Sequence, residues 1–156
     1  MFLVGDGHTH IVKEDSLKIE VEEITGVQQD VLKRLGWSKF QYILSNPPYG
    51  NSPVYAQSRL FLSSRYEVAF ALKIIDILEI GGKACIILPD GCLENPTMEG
   101  FRREMLQLCK IEAIISLPKF AFAQYTKEKT YAVFLCNKDR NDPKVQKDAT
   151  WMYILD

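Results

Sequence analysis

The chain has 156 residues, 47% of them hydrophobic and 25% charged, the proportions of a soluble globular domain long enough to bury a core. Lys and Arg number 19 against 20 Asp and Glu, a formal net charge of −1. That balance excludes a general basic footprint for nucleic acid and leaves any such contact to a local patch or a partner. There is no signal peptide, no internal repeat and no apolar run long enough to span a bilayer, so the sequence reads as a cytoplasmic protein without a membrane segment. Four cysteines, Cys85, Cys92, Cys109 and Cys136, form no CxxC pair, and three lie within apolar patterns, as buried reduced thiols do.

The chain opens with Gly5-Asp6-Gly7, which lacks the third glycine, the preceding strand and the following helix of a nucleotide fingerprint. His8 and His10 would share one face of a strand over His8–Val12, but no third ligand accompanies them and no metal site is expected. Glu14-Asp15-Ser16-Leu17 closes that strand as a polar turn. Residues 18–40 are charged and irregular, with a short helix expected over Gln28–Leu35 and a stop at Gly36.

Phe40–Leu44 is a short apolar strand running into Asn46-Pro47-Pro48-Tyr49. The consecutive prolines fix φ near −65°, remove two backbone donors and force Asn46 into an extended conformation. Acceptors remain: the Asn46 side-chain oxygen and nearby carbonyls converge on one planar NH₂ group, while Tyr49 offers a ring for a flat base. An exocyclic amine of a nucleobase or a side-chain amide fits that description; so does an ordinary strand-ending turn.

A loop from Gly50 to Ser63 follows, and Ser64-x-x-Glu67 reads as a capping box opening a helix that carries Tyr66, Phe70, Ile74, Ile77 and Leu78 and stops at Gly81-Gly82. Lys83–Leu88 suits a central parallel strand buried on both faces. Asn95-Pro96 starts a second helix, with Asn as cap, that turns Met98, Phe101, Met105 and Cys109 inward. Ile111–Leu117 and Tyr131–Cys136 are strands joined by a loop in which Phe120, Phe122 and Tyr125 alternate with Lys119, Lys127 and Lys129. Such a loop can stack a base and hold phosphates, or tuck its aromatics into the hairpin core. A solvated turn over 138–144 and a last strand over Trp151–Leu155 complete an α/β pattern, parallel until a final antiparallel hairpin.

Asn46-Pro47-Pro48-Tyr49 resembles motif IV of the amino-group methyltransferases. With Glu14-Asp15-Ser16-Leu17, Gly81-Gly82-Lys83-Ala84, Leu88-Pro89-Asp90-Gly91 and Ile114–Pro118 in order, then Phe122 and Thr130, the chain is similar to the modification subunit of type I restriction-modification systems. These are adenine-N6 DNA methyltransferases. The resemblance implies a Rossmann-like class I S-adenosylmethionine-dependent sheet, of family order 3-2-1-4-5-7-6, and a chain that is the C-terminal portion of the catalytic domain, a single domain over 1–156. Strands one and two and the glycine-rich cofactor loop would be missing, leaving the chain inactive alone. It further implies that Asp15 and Asn46 contact the cofactor S-adenosylmethionine, that Asn46 and the Pro47 carbonyl accept from the target amine within the Asn46–Tyr49 motif (Pro48 included), and that Tyr49 and Phe122 sandwich the flipped base. Lys119, Lys127 and Lys129 are candidate DNA contacts, and the specificity and restriction subunits are the implied protein partners. The same tetrapeptide serves enzymes acting on RNA guanine or protein glutamine, and a non-catalytic remnant or scaffold fragment is the reading from another class.

Overall fold

The computed structural model of the protein describes residues 15–17, 39–57, 60–123, 127–139, 141 and 146–155. The chain divides into two compact units, Met1–Ser38 and Lys39–Asp156. In the first unit only Asp15, Ser16 and Leu17 are described: the Leu17 N–H donates to Asp15 Oδ1 at 3.1 Å, the local turn that Asp favours. The expected strand over His8–Val12 and helix over Gln28–Leu35 lie outside the described residues.

The second unit is built on a five-stranded sheet formed by β1 (Phe40–Ser45), β4 (Leu78–Pro89), β5 (Cys109–Ser116), β6 (Thr130–Asn137) and β7 (Trp151–Ile154), in the order β1-β4-β6-β5-β7. β1 pairs parallel with β4 and β5 parallel with β7, while β6 runs antiparallel between β4 and β5. The sheet is therefore mostly parallel with an antiparallel hairpin, and its first four strands reproduce the 4-5-7-6 half of the expected order. The described sheet holds no counterpart of strands one to three.

Two helices, α1 (Tyr66–Ile77) and α3 (Glu99–Leu108), supply the core. Val68, Ala71 and Ile75 of α1, Phe101 and Met105 of α3, and Ala84, Ile86, Leu88, Val133 and Leu135 of the sheet are buried. The edges of Phe61 and Phe101 meet in a T-shape with centroids 5.8 Å apart, joining α3 to the chain that precedes α1. Gly100 permits that approach, since a Cβ there would lie 2.4 Å from the Leu60 carbonyl oxygen. The alternate residues of β1 and β4 do not share this burial: Tyr42, Leu44 and Lys83 are exposed and Cys85 and Ile87 only partly covered, so the Lys83–Leu88 run is buried on one face rather than two.

Three local expectations are corrected. The loop after Gly50 contains an antiparallel pair, β2 (Asn51–Gln57) with β3 (Leu62–Arg65). Arg65, not Ser64, is the N-cap of α1 and, having no acceptor, offers no side-chain cap; the Glu67 carboxylate accepts from the Gly50 N–H instead of closing a capping box. Finally, α1 ends at Ile77 rather than at the glycine pair. The chain turns straight into β4, the Asn137 side-chain amide donates to the carbonyls of Leu78 and Glu79 at 2.9 and 3.2 Å, and Gly81-Gly82 form a bulge in that strand. Gly81 adopts φ +80°, and a Cβ on Gly82 would meet the Glu79 and Phe40 carbonyl oxygens at 2.9 and 3.0 Å. The short helix α2 (Asp90–Glu94) carries no periodic signal; at Asn95-Pro96 the cap is as expected, with Asn95 Oδ1 accepting from the Thr97 N–H at 3.0 Å, but a 3₁₀ turn over Pro96–Met98 precedes α3.

Candidate active site

Because β1, β4 and β5 run in the same direction, the loops leaving their carboxyl ends gather at one edge of the sheet, where parallel α/β folds bind ligands. Asn46–Tyr49 leaves β1, Asp90 follows β4, and the loop over 117–129 leaves β5. The Leu117 N–H donates to the Thr130 carbonyl at 3.0 Å and the Asp90 N–H to the Lys129 carbonyl at 2.8 Å, fixing both ends of the third loop beside the second.

A cavity of about 360 Å³ opens among Asn46, Pro47, Pro48, Tyr49, Gly50, Phe122 and Glu128. Such a volume is in the range of small-molecule sites, which hold about 300–1,000 Å³. The site thus joins the motif residues to Phe122 across the strands between them. Pro47 is buried and pins the loop, Asn46 and Pro48 are exposed, and Tyr49 is half-buried. The Tyr49 hydroxyl donates to Asn46 Oδ1 at 3.2 Å, with the Ile87 carbonyl as a longer alternative acceptor at 3.5 Å. Burial, reinforced by the charges of Glu67 and Glu128, pushes the Tyr49 phenol up to about 12, so it stays a proton-bearing donor through the neutral range.

The other expected residues are dispersed. Phe120 is 69% exposed, within the two successive turns closed by the Ala121 N–H to Pro118 and the Ala123 N–H to Phe120 carbonyls. Lys119 and Lys127 are exposed, and the Lys129 ammonium sits 5.7 Å from the centre of the Tyr131 ring. Tyr125 is outside the described residues. Asp15 belongs to the first unit and accepts from its own turn.

Three site residues were missed by sequence reasoning. Gly50 holds φ +103°, a conformation that favours glycine, and ends the motif loop. Glu67, read as half of a capping box, is completely buried and accepts from the Gly50 N–H at 3.0 Å. Glu128 places a carboxylate at the cavity wall. A glutamate in the first turn of a mostly apolar helix was the available signal for Glu67; Glu128 carried none among the lysines.

The N-6 DNA Methylase family pattern matches residues 4–155. The methylase subunit of the type I restriction enzyme StySJI from Salmonella typhimurium is 30% identical over 124 residues, spanning 75% of this chain and 23% of that protein. The crystal structure of the EcoKI M protein, a type I restriction enzyme subunit, superposes with a TM-score of 0.58 at 25% identity over 78% of this chain and 26% of that one. A Listeria monocytogenes protein assigned to the class I S-adenosylmethionine-dependent methyltransferases gives a TM-score of 0.60 at 18% identity, over 75% of this chain and 37% of that one, a likeness of fold. The chain therefore spans about a quarter of the length of the type I subunits it matches.

Proposed function

Given that this chain belongs to the N-6 DNA methylase family, we propose that it is the C-terminal portion of the catalytic domain of a DNA adenine-N6 methyltransferase, and that the cavity between Asn46–Gly50 and Phe122 receives the target adenine. The observation that carries this reading is the cavity itself. Acceptor groups and an aromatic ring from the β1 loop face a second aromatic from the β5 loop, the constellation needed to hold one flat base by its amino group.

The chemistry is that of a poor nucleophile. The adenine N6 lone pair is delocalised into the ring; acceptance of its hydrogens by Asn46 Oδ1 and the Pro47 carbonyl localises the pair toward the methyl donor. Asn46 Oδ1 accepts from the Tyr49 hydroxyl at 3.2 Å, and its second lone pair is available to the entering amine. No residue of the Asn46–Tyr49 motif ionises as a base near neutrality, consistent with proton loss after attack rather than before it. Flipping the base out of a duplex costs a few kcal/mol, and stacking on Tyr49 and Phe122, at about 1–3 kcal/mol each, offsets it.

S-adenosylmethionine, when bound, supplies an electrophilic sulfonium methyl. The described residues at the cavity supply acceptors, aromatic surface and Glu128, but neither a cation for the donor's carboxylate nor a glycine-rich turn beneath it, so they fit the methyl-accepting side alone. The donor's cradle is assigned to chain outside these residues, with Asp15 the proposed contact to its adenine and Asn46 lying between donor and target. DNA and the specificity and restriction subunits are the proposed partners, and Lys119, Lys127 and Lys129 the proposed phosphate contacts. The restriction-enzyme methylase relatives support this over substrates such as RNA guanine or protein glutamine, and over a scaffold role. Among the described residues no helix is long and apolar enough to cross a membrane, and the proposed compartment is the cytoplasm, where the DNA substrate lies.

Calorimetric titration of S-adenosylmethionine tests the division of labour. The chain alone is expected to show no binding heat, and addition of a separately made N-terminal half of a catalytic domain is expected to restore it. Micromolar binding to the chain alone would overturn the assignment of the cradle.

A further inference from the structure

Glu67 is a fully buried carboxylate in the first turn of α1, and it has no part in the chemistry above. Burying a carboxylate is costly unless it is paired and hydrogen-bonded, and such a group is weak evidence for stability but a good device for fixing position. Its partners identify what it fixes. Glu67 Oε2 accepts from the Gly50 N–H at 3.0 Å, Oε1 is bound by the Arg65 Nε–H, and the Gly50 carbonyl accepts from the Tyr66 N–H at 2.8 Å.

Gly50 is thus held on both backbone groups by the N-terminus of α1, while Pro47 pins the other side of the loop. Tyr49 lies between these two anchors, and Gly50's positive φ sets the direction in which the chain leaves it. We infer that Glu67 is a positioning residue for the target base: oriented by Arg65, its carboxylate clamps Gly50 and thereby aims the Tyr49 ring and the Asn46 oxygen into the cavity. The inference deepens the proposed function and rests on Asn46–Tyr49 being the base-binding loop.

The test is nuclear magnetic resonance of the full chain, following the Gly50 amide and the Tyr49 ring during titration with adenosine, in wild type, Glu67→Gln and Glu67→Ala. Glu67→Gln keeps an acceptor of the same reach and removes its charge. The Gly50 amide proton is expected to move upfield, as befits a neutral acceptor, while the adenosine response of Tyr49 stays within about twofold of wild type. Glu67→Ala leaves Gly50 without its acceptor, and the adenosine response is expected to weaken about tenfold with the amide resonances of β4 and β6 unmoved. An alanine variant that responds like wild type overturns the inference. Should that variant not fold, an unmoved Gly50 proton in Glu67→Gln overturns it equally. If wild-type Tyr49 does not respond to adenosine, the base-binding reading fails, and the Gly50 resonance still decides whether the clamp exists.

Discussion

Tyr49 has two duties that its substitutions separate. Its ring lines the cavity and its hydroxyl occupies the Asn46 oxygen, so Tyr49→Phe keeps the stacking surface and frees the acceptor. Adenosine affinity of Tyr49→Phe is expected to equal or exceed that of wild type, with stability lower by about 0.5–1.5 kcal/mol for the lost hydrogen bond in urea unfolding. Tyr49→Ala is expected to lose about 1–3 kcal/mol of base affinity. The motif itself was legible in sequence because its chemistry is local: two prolines dictate the backbone, and an Asn and a Tyr carry their acceptor and ring wherever they stand. Glu67 was not legible, because its role depends on Gly50, 17 residues earlier, and Ser64-x-x-Glu67 offered a local explanation that the fold does not use.

At the scale of elements, close approach is the organising constraint. Replacing Gly100 with alanine improves helix propensity by about 1 kcal/mol, yet the added Cβ would meet the Leu60 carbonyl oxygen at 2.4 Å, and backbone cannot yield as a flexible side chain does. The clash wins: Gly100→Ala is expected to destabilise by about 1–3 kcal/mol in thermal or urea unfolding. Asn137 presents the same logic in hydrogen bonds. It is buried and ties β6 to the junction of α1 and β4, so Asn137→Ala, which strands the Leu78 and Glu79 carbonyls, is expected to cost about 1–3 kcal/mol. Helices α1 and α3 and the long strands could be read from periodicity, but their ends could not. Gly81-Gly82 looked like a helix stop and is a bulge; the chain leaves α1 directly into β4, where Asn137, about 60 residues away in sequence, holds the Leu78 and Glu79 carbonyls.

For the whole molecule, three groups share an alkaline liability. Tyr49 and Cys92 are pushed up to about 12 chiefly by burial, and Tyr131 to about 12 chiefly by its hydrogen bond to Glu94. Each is neutral when protonated and each ionises more readily in the unfolded chain, so the stability it contributes is complete below about pH 9 and is lost as pH rises toward 12. Thermal unfolding followed from pH 7 to 11 is expected to be level at first and then to fall, with the fall shallower in Tyr49→Phe. A melting temperature that rises across pH 9–11 would contradict this. The topology was accessible to sequence because hydrophobic runs and their order follow the family's sheet; the parallel pairing of β7 with β5 was not, since a four-residue exposed strand carries no directional signal.

The central claim is that Asn46, Tyr49 and Phe122 present an adenine amine to a methyl donor, and the most direct measurement is the product of transfer. The chain is combined with a separately made N-terminal half, S-adenosylmethionine with an isotopically labelled methyl group and unmethylated DNA, and the nucleosides are resolved by mass spectrometry. The expected result is label on adenine N6, reduced by more than about a hundredfold in Asn46→Ala, a loss of the size that a misplaced reacting group causes. Label on adenine at an undiminished rate in Asn46→Ala, or label on a different base, would contradict the account.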